Sequence, residues 1–145
     1  MREVNEITYY EALPIRQKVL RPHMKTAECI YLGDKDPKST HFSVVEDDET
    51  IAIASIYNQP MPNDTDTNAW RIRGMATLPT YRKTGCGDLL IRACLDYAKV
   101  HTASYVWCNG RTKALGFYEK YGFYIVGEEF ELPNIGPHYI LKVDL

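Results

Sequence analysis

At 145 residues, with 45% hydrophobic and 25% charged side chains, the chain has the size of one globular domain able to bury roughly 68–70% of its unfolded surface. Its 17 basic and 19 acidic residues give a net charge of −2, which argues against a nucleic-acid binder, where a basic excess or stripe is usual. No apolar run approaches the ~18 residues of a membrane span, and MREVNEITYY lacks the basic-then-apolar pattern of a secretory leader. Cys29, Cys86, Cys94 and Cys108 form no Cys-x-x-Cys pair and have no histidine at zinc spacing, so reduced thiols and a cytoplasmic location are expected. Glu28, Asp34, Asp36 and His41 match no ligand spacing either, and no metal is expected.

In chain order, the pattern predicts a short strand near Val4 to Thr8, then helical segments at Glu11 to Leu20 and Thr26 to Ile30, and a loop at Leu32 to Thr40. His41 to Glu46 and Thr50 to Tyr57 read as a hairpin about the acidic turn Asp47-Asp48. A polar, turn-rich loop from Pro60 to Asn68 leads to a strand at Trp70 to Thr77, ended by Pro79. From Gly87 to Val100 the period becomes helical, with Leu90, Ile91, Cys94, Leu95 and Ala98 on one face and Asp88, Arg92, Asp96 and Lys99 on the other. Ser104 to Cys108 reads as a strand covered on both faces, and Thr112 to Tyr121 as a helix stopped by Gly122. Two strands, Phe123 to Leu132 and His138 to Val143, flank the turn Pro133 to Pro137. This order predicts a layered α/β domain in which Trp70 to Cys108 is a crossover unit with parallel strands.

Two segments carry the chemistry. Arg82-Lys83-Thr84-Gly85-Cys86-Gly87 lies directly between a predicted strand and a predicted helix. A helix start offers unpartnered N–H groups and partial positive charge to an anion, and glycines let the backbone come close to it. Arg82 and Lys83 add charge-assisted contacts. Alone, the segment is equally a tight strand-to-helix turn. The second segment is Ala114-Leu115-Gly116-Phe117-Tyr118-Glu119-Lys120-Tyr121-Gly122-Phe123; one tyrosine among 11 on an amphipathic helix is ordinarily a packing residue.

Taken in this order, the two segments resemble the signatures of the GNAT superfamily, the acyl-CoA-dependent N-acyltransferases. The first matches Arg/Gln-x-x-Gly-x-Gly/Ala and the second Ala-x-x-Phe-Tyr-x-x-x-Gly-Phe. Neither the Rossmann nor the Walker spacing is present. The resemblance implies a mixed, mostly antiparallel central sheet of six to seven strands with helices on both faces, forming a single acetyltransferase domain over residues 1–145. It implies acetyl-CoA as acyl donor, with Met75, Ala76 and Thr77 along pantetheine, Arg82, Lys83, Thr84, Gly85, Cys86, Gly87 and Asp88 about the pyrophosphate, and further cofactor contacts from Asn109, Arg111 and Phe117. Tyr118 would stand beside the cofactor sulfur, where a neutral phenol can protonate a departing thiolate. Asp88 fits only if its carboxylate points away from the phosphates, and Arg111 stands where an Asn is commoner.

The acceptor side is less determined. Some members carry a Glu on the fourth strand as general base; counting back from Arg82, the corresponding residue here is Arg71, which cannot serve. His138, opening the last strand, is the remaining candidate, set against a surface or structural histidine. Arg71 and Arg73 share one strand face by the period-two rule and could select an anionic acceptor, with Arg16 and Arg21 as further candidates. The expected activity is acetyl transfer to a primary amine, small-molecule or peptide, by direct attack in a ternary complex; a CoA-binding regulatory module without turnover is the alternative. Neither nucleic acid nor membrane is an expected partner, and a homodimer, frequent among proteins of this type, stays open.

Overall fold

The computed structural model describes residues 1–145. Seven strands, β1 (Arg2–Ile7), β2 (Thr40–Glu46), β3 (Glu49–Tyr57), β4 (Ala69–Thr77), β5 (Tyr105–Arg111), β6 (Tyr124–Leu132) and β7 (Gly136–Asp144), form one sheet in the order β1-β2-β3-β4-β5-β7-β6. Three α-helices accompany it: α1 (Tyr9–Ile15), α2 (Cys86–Val100) and α3 (Leu115–Glu119). The sheet is mixed: β1 with β2, β2 with β3, β5 with β7 and β6 with β7 run antiparallel, and β4 with β5 parallel, as the crossover requires. Contacts group the chain into two compact units, Met1–Tyr57 with Ile72–Tyr97, and Asn58–Arg71 with Ala98–Leu145.

In the first unit, Thr8 caps α1 through a reciprocal pair with Glu11, which satisfies two N–H groups at the helix start. Pro14 lies inside the helix and lacks a donor, and the following turn, Arg16–Leu20, widens to a π-helical one. The expected continuous helix from Glu11 to Leu20 is therefore two kinds of helix, and the change falls at Arg16. The hairpin forms as expected: Asp47 and Asp48 both adopt positive φ (50° and 65°), the backbone that a tight two-residue connection needs. Ala12 and Ile15 of α1 pack on Ile53 of β3 and Ala76 of β4, while Leu90, Ile91, Cys94, Leu95 and Ala98 are the buried face of α2, as its period predicts.

In the second unit, β4 and β5 are in register at Ala69–Arg71 with Tyr105–Trp107. Ala69, Tyr105 and Trp107 form its core with Met61 and Ile140. The loop before β4 is tied to β5 by Trp107, whose Nε1 donates to Gln59 O at 2.8 Å, and by the Tyr105 hydroxyl, which donates to Asp64. Three elements differ from expectation. β5 runs three residues further, to Arg111; the helix expected at Thr112 to Tyr121 is a 3₁₀ turn, Thr112–Ala114, followed by the short α3; and β7 begins at Gly136, so the final turn is tighter. Gly122 does close α3 with φ +89°. Gly116 inside a five-residue helix leaves it too short to persist by propensity.

Candidate active site

In the first unit, β4 carries Met75, Ala76 and Thr77 to a 3₁₀ turn at Pro79–Tyr81, and the chain then passes through Arg82–Gly85 into α2. Gly85 has φ +97° with no heavy atom within 4 Å of where a Cβ would sit, so it needs the glycine backbone and leaves open space above it. Arg82, Lys83, Thr84 and Gly85 are exposed, Gly87 and Asp88 are half-buried, and Cys86 is buried beneath them. The turn is held from β1, a contact the sequence did not disclose. Arg2 donates from Nη1 to Thr84 O (2.6 Å) and from Nη2 to Thr84 Oγ1 (2.8 Å), while its Nε donates to Glu46 at 2.8 Å. The Thr84 hydroxyl in turn donates to Tyr81 O. An exposed, preformed turn at the start of a 15-residue helix is a fitting cradle for an anion.

The same unit holds a buried polar knot that joins the N-terminal segment to the strands. Arg16, 0% exposed, donates to Asp34 at 2.7 and 3.3 Å, to Cys29 O at 2.9 Å and to Ser55 Oγ at 3.3 Å. Asp34 also accepts from the Tyr57 hydroxyl (2.5 Å) and the Tyr31 amide (2.6 Å). Burial and the hydrogen bond to Asp34 push the Tyr57 phenol far above its usual range. His41, buried on β2, contacts Ser55 Oγ through Nδ1 at 2.7 Å, and burial lowers its pKa so that it is held neutral. Asp34 and His41, two of the four residues considered for a metal, thus belong to this knot, and no group of three potential ligands converges.

In the second unit, the Tyr118 ring is clamped. It lies edge-on to Phe117 (5.1 Å) and Phe123 (5.6 Å), and a Cβ on Gly110 would come within 3.1 Å of it. Gly110 is therefore the gap in β5 into which Tyr118 fits. Burial pushes the neighbouring Cys108 thiol up to about 12, outweighing the phenol, which favours its charged form, so that thiol is no nucleophile. His138 is 4% exposed, stacks on Phe130 and has Nδ1 2.8 Å from Gly136 O. A carbonyl only accepts, so Nδ1 carries the proton.

The ladder sets these two candidates apart. His138 is opposite Arg111 and Ile140 opposite Asn109, whereas Gly110 and Cys108 are opposite Tyr139 and Leu141. Successive side chains alternate between faces, so Tyr118 lies against the Cys108 and Gly110 face, while Asn109, Arg111 and His138 share the other. The expected acid and base do not stand together. Arg71 and Arg73 likewise find different partners: Arg71 lies over Trp107 (4.8 Å) and reaches Gln59 Oε1 at 3.5 Å, whereas Arg73 lies over Tyr31 (3.9 Å).

The sequence model of the Acetyltransferase (GNAT) family matches residues 5–123. The chain belongs to this family. GNAT enzymes use acyl-CoA and act on amine acceptors, and this chain is an acetyltransferase of that kind. It is 38% identical over 141 residues to the uncharacterized N-acetyltransferase YitI of Bacillus subtilis strain 168, covering 97% of this chain and 95% of that protein. Among solved structures, Ard1 from Thermoplasma volcanium superimposes with a TM-score of 0.80 at 18% identity over 99% of this chain and 97% of that one. An aminoglycoside 6'-N-acetyltransferase complexed with coenzyme A gives a TM-score of 0.77 at 13% identity over 98% and 96%. At such identities the structures establish the shared GNAT fold. No helix is long and apolar enough to cross a membrane.

Proposed function

We propose that the protein transfers an acetyl group from acetyl-CoA to a primary amine by direct attack in a ternary complex. The observation that carries the donor half is the left-handed Gly85 turn, pinned through Arg2 and opening α2 with Arg82 to Gly85 exposed. Its free N–H groups and the two cations Arg82 and Lys83 suit a pyrophosphate, with Cys86 packed inward as a small buried support. Bound there, acetyl-CoA supplies the activated thioester. Backbone groups of Met75 and Thr77, on the strand leading into the turn, are the donors and acceptors for its pantetheine arm.

Tyr118 is the proton donor in this reading. Its ring is fixed by Phe117, Phe123 and Gly110, and its phenol lies beside the Cys108 thiol. A neutral phenol can hand its proton to a departing thiolate. His138, on the other face of β5 and β7, supports the strand opening instead, and water takes the proton from the attacking amine.

Calorimetry with acetyl-CoA, with ATP as the comparison ligand, tests the donor assignment. Binding of acetyl-CoA but not ATP is expected; absence of both returns Gly85 to an ordinary turn. Tyr118→Phe keeps the ring packing and should lower kcat by about 10²–10⁴-fold, the usual range for a positioned acid, with acetyl-CoA affinity retained. Full turnover in this variant would remove the assignment.

A further inference from the structure

Resting on the acyltransfer reading above, we infer that the acceptor carries a carboxylate, held by Arg73 and Arg21 at a platform built on Tyr31. The Tyr31 ring gathers three guanidinium groups: Arg16 and Arg73 each stand 3.9 Å from its centroid and Arg21 stands 5.8 Å away. Like charges gathered on one ring repel, and the knot holds a single carboxylate against them, Asp34. That carboxylate is fully occupied by Arg16, Tyr57 and the Tyr31 amide. It fixes Arg16 and orients Tyr31, and leaves the charges of Arg73 and Arg21 uncompensated.

Arg73 and Arg21 are half-buried, and their contact is with the ring. A guanidinium lying over a phenol face directs its N–H edge sideways, in the plane where a planar, two-oxygen acceptor pairs with it. A second observation points the same way: Arg16 Nε is fully buried and has no hydrogen-bond partner, so this core of cations is under-supplied with acceptors.

Position ties the platform to the reaction. Gly74, with φ +70°, separates Arg73 from Met75, and a Cβ on it would come 3.1 Å from Tyr31 Cε2 and 3.7 Å from Arg16 Nε. The glycine lets Tyr31 and Arg16 close directly onto β4. Arg73 thereby sits two residues, ~7 Å along a strand, before the segment assigned to pantetheine. A small amino carboxylate whose carboxylate rests on Arg73 thus lies next to that segment. The acceptors this site suits are therefore free amino acids and other small amino carboxylates, rather than polyamines or aminoglycosides, whose positive charge Arg73 and Arg21 would repel.

The test titrates a panel of N-acetyl-L-amino acids, as free acids and as their primary amides, into the protein with and without CoA, with O-phosphoethanolamine as the alternative anion. We expect at least one acid to bind about tenfold or more tightly than its amide, Arg73→Gln to abolish that preference and Arg73→Lys to restore part of it, while acetyl-CoA affinity stays at the parent level. Acids and amides binding alike, no acid binding at millimolar concentration, a preference for the phosphate, or an acid preference that survives Arg73→Gln would each overturn the inference. Loss of acetyl-CoA binding in the unsubstituted protein would instead overturn the donor assignment, and the acid-against-amide comparison in its absence is read separately.

Discussion

Replacing Asp34 with Asn preserves the side-chain shape and removes a charge that four donors converge on: Arg16 at 2.7 and 3.3 Å, the Tyr57 hydroxyl at 2.5 Å and the Tyr31 amide at 2.6 Å. Arg16 and the Tyr31 amide can only donate, so the new amide nitrogen is tolerated only where the Tyr57 hydroxyl turns to accept from it, and the charge that Arg16 pairs with is lost in either case. Arg16 would stay charged with no exposure to water. Breaking a buried pair from one side costs about 3–5 kcal/mol, and at ~2–4 °C per kcal/mol for a chain of this size the melting temperature should fall by roughly 6–20 °C. Urea titration at neutral pH measures the loss, and the double variant Arg16→Met/Asp34→Leu should be less destabilised than Asp34→Asn, because both buried charges are gone. An Asp34→Asn variant within about 1 kcal/mol of the parent, or a double variant no better than the single one, would refute the argument. The pH dependence gives an independent reading. Burial by itself would raise the Asp34 carboxyl, but hydrogen bonds from Arg16, Tyr57 and Tyr31 hold it below its usual range. Its contribution is therefore complete above the unfolded value of about 3.9 and is lost as pH falls below it and through the lower folded value. The Asn variant should lose less further stability than the parent in that acid window.

Gly110→Ala should cost about 1–3 kcal/mol through overpacking, because the new methyl collides with Leu141 and comes 3.1 Å from the Tyr118 ring. It should also lower kcat by displacing that ring, and a variant with parental stability and turnover would show that the gap in β5 is not what positions Tyr118. His138→Gln should leave kcat near that of the parent, since His138 shares a ladder face with Asn109 and Arg111 and not with Gly110; a large fall in kcat at unchanged stability would put the base on that face.

Much of the fold was legible because its signals are local. The acidic turn between two β-branched runs, the 3.6-residue period from Leu90 to Ala98 and the glycine after Tyr121 each specify their element through nearest neighbours. The two GNAT signatures were legible for a similar reason, since a phosphate turn and a tyrosine-bearing helix start need fixed residue types at fixed spacing. The broken helix at Thr112 was not, because Ala114 to Tyr121 has helical composition and only the packing of Tyr118 against Gly110 and Phe123 shows where the chain must bend.

Family membership and the chain order of strands and helices are written in the amino-acid chain, because they depend on backbone propensity and contiguous motifs. Which distant side chains meet is settled only by folding. Arg2 reaches Thr84 across 82 positions, Arg16 reaches Asp34 across 18, and Arg16, Arg21 and Arg73 collect on Tyr31 from a helix, a loop and a strand. It also assigned Tyr118 and His138 to opposite faces of one ladder, which follows from pairing register and not from their spacing in the chain. Pairing register and buried charge are set by elements far apart in sequence, and no local pattern encodes them.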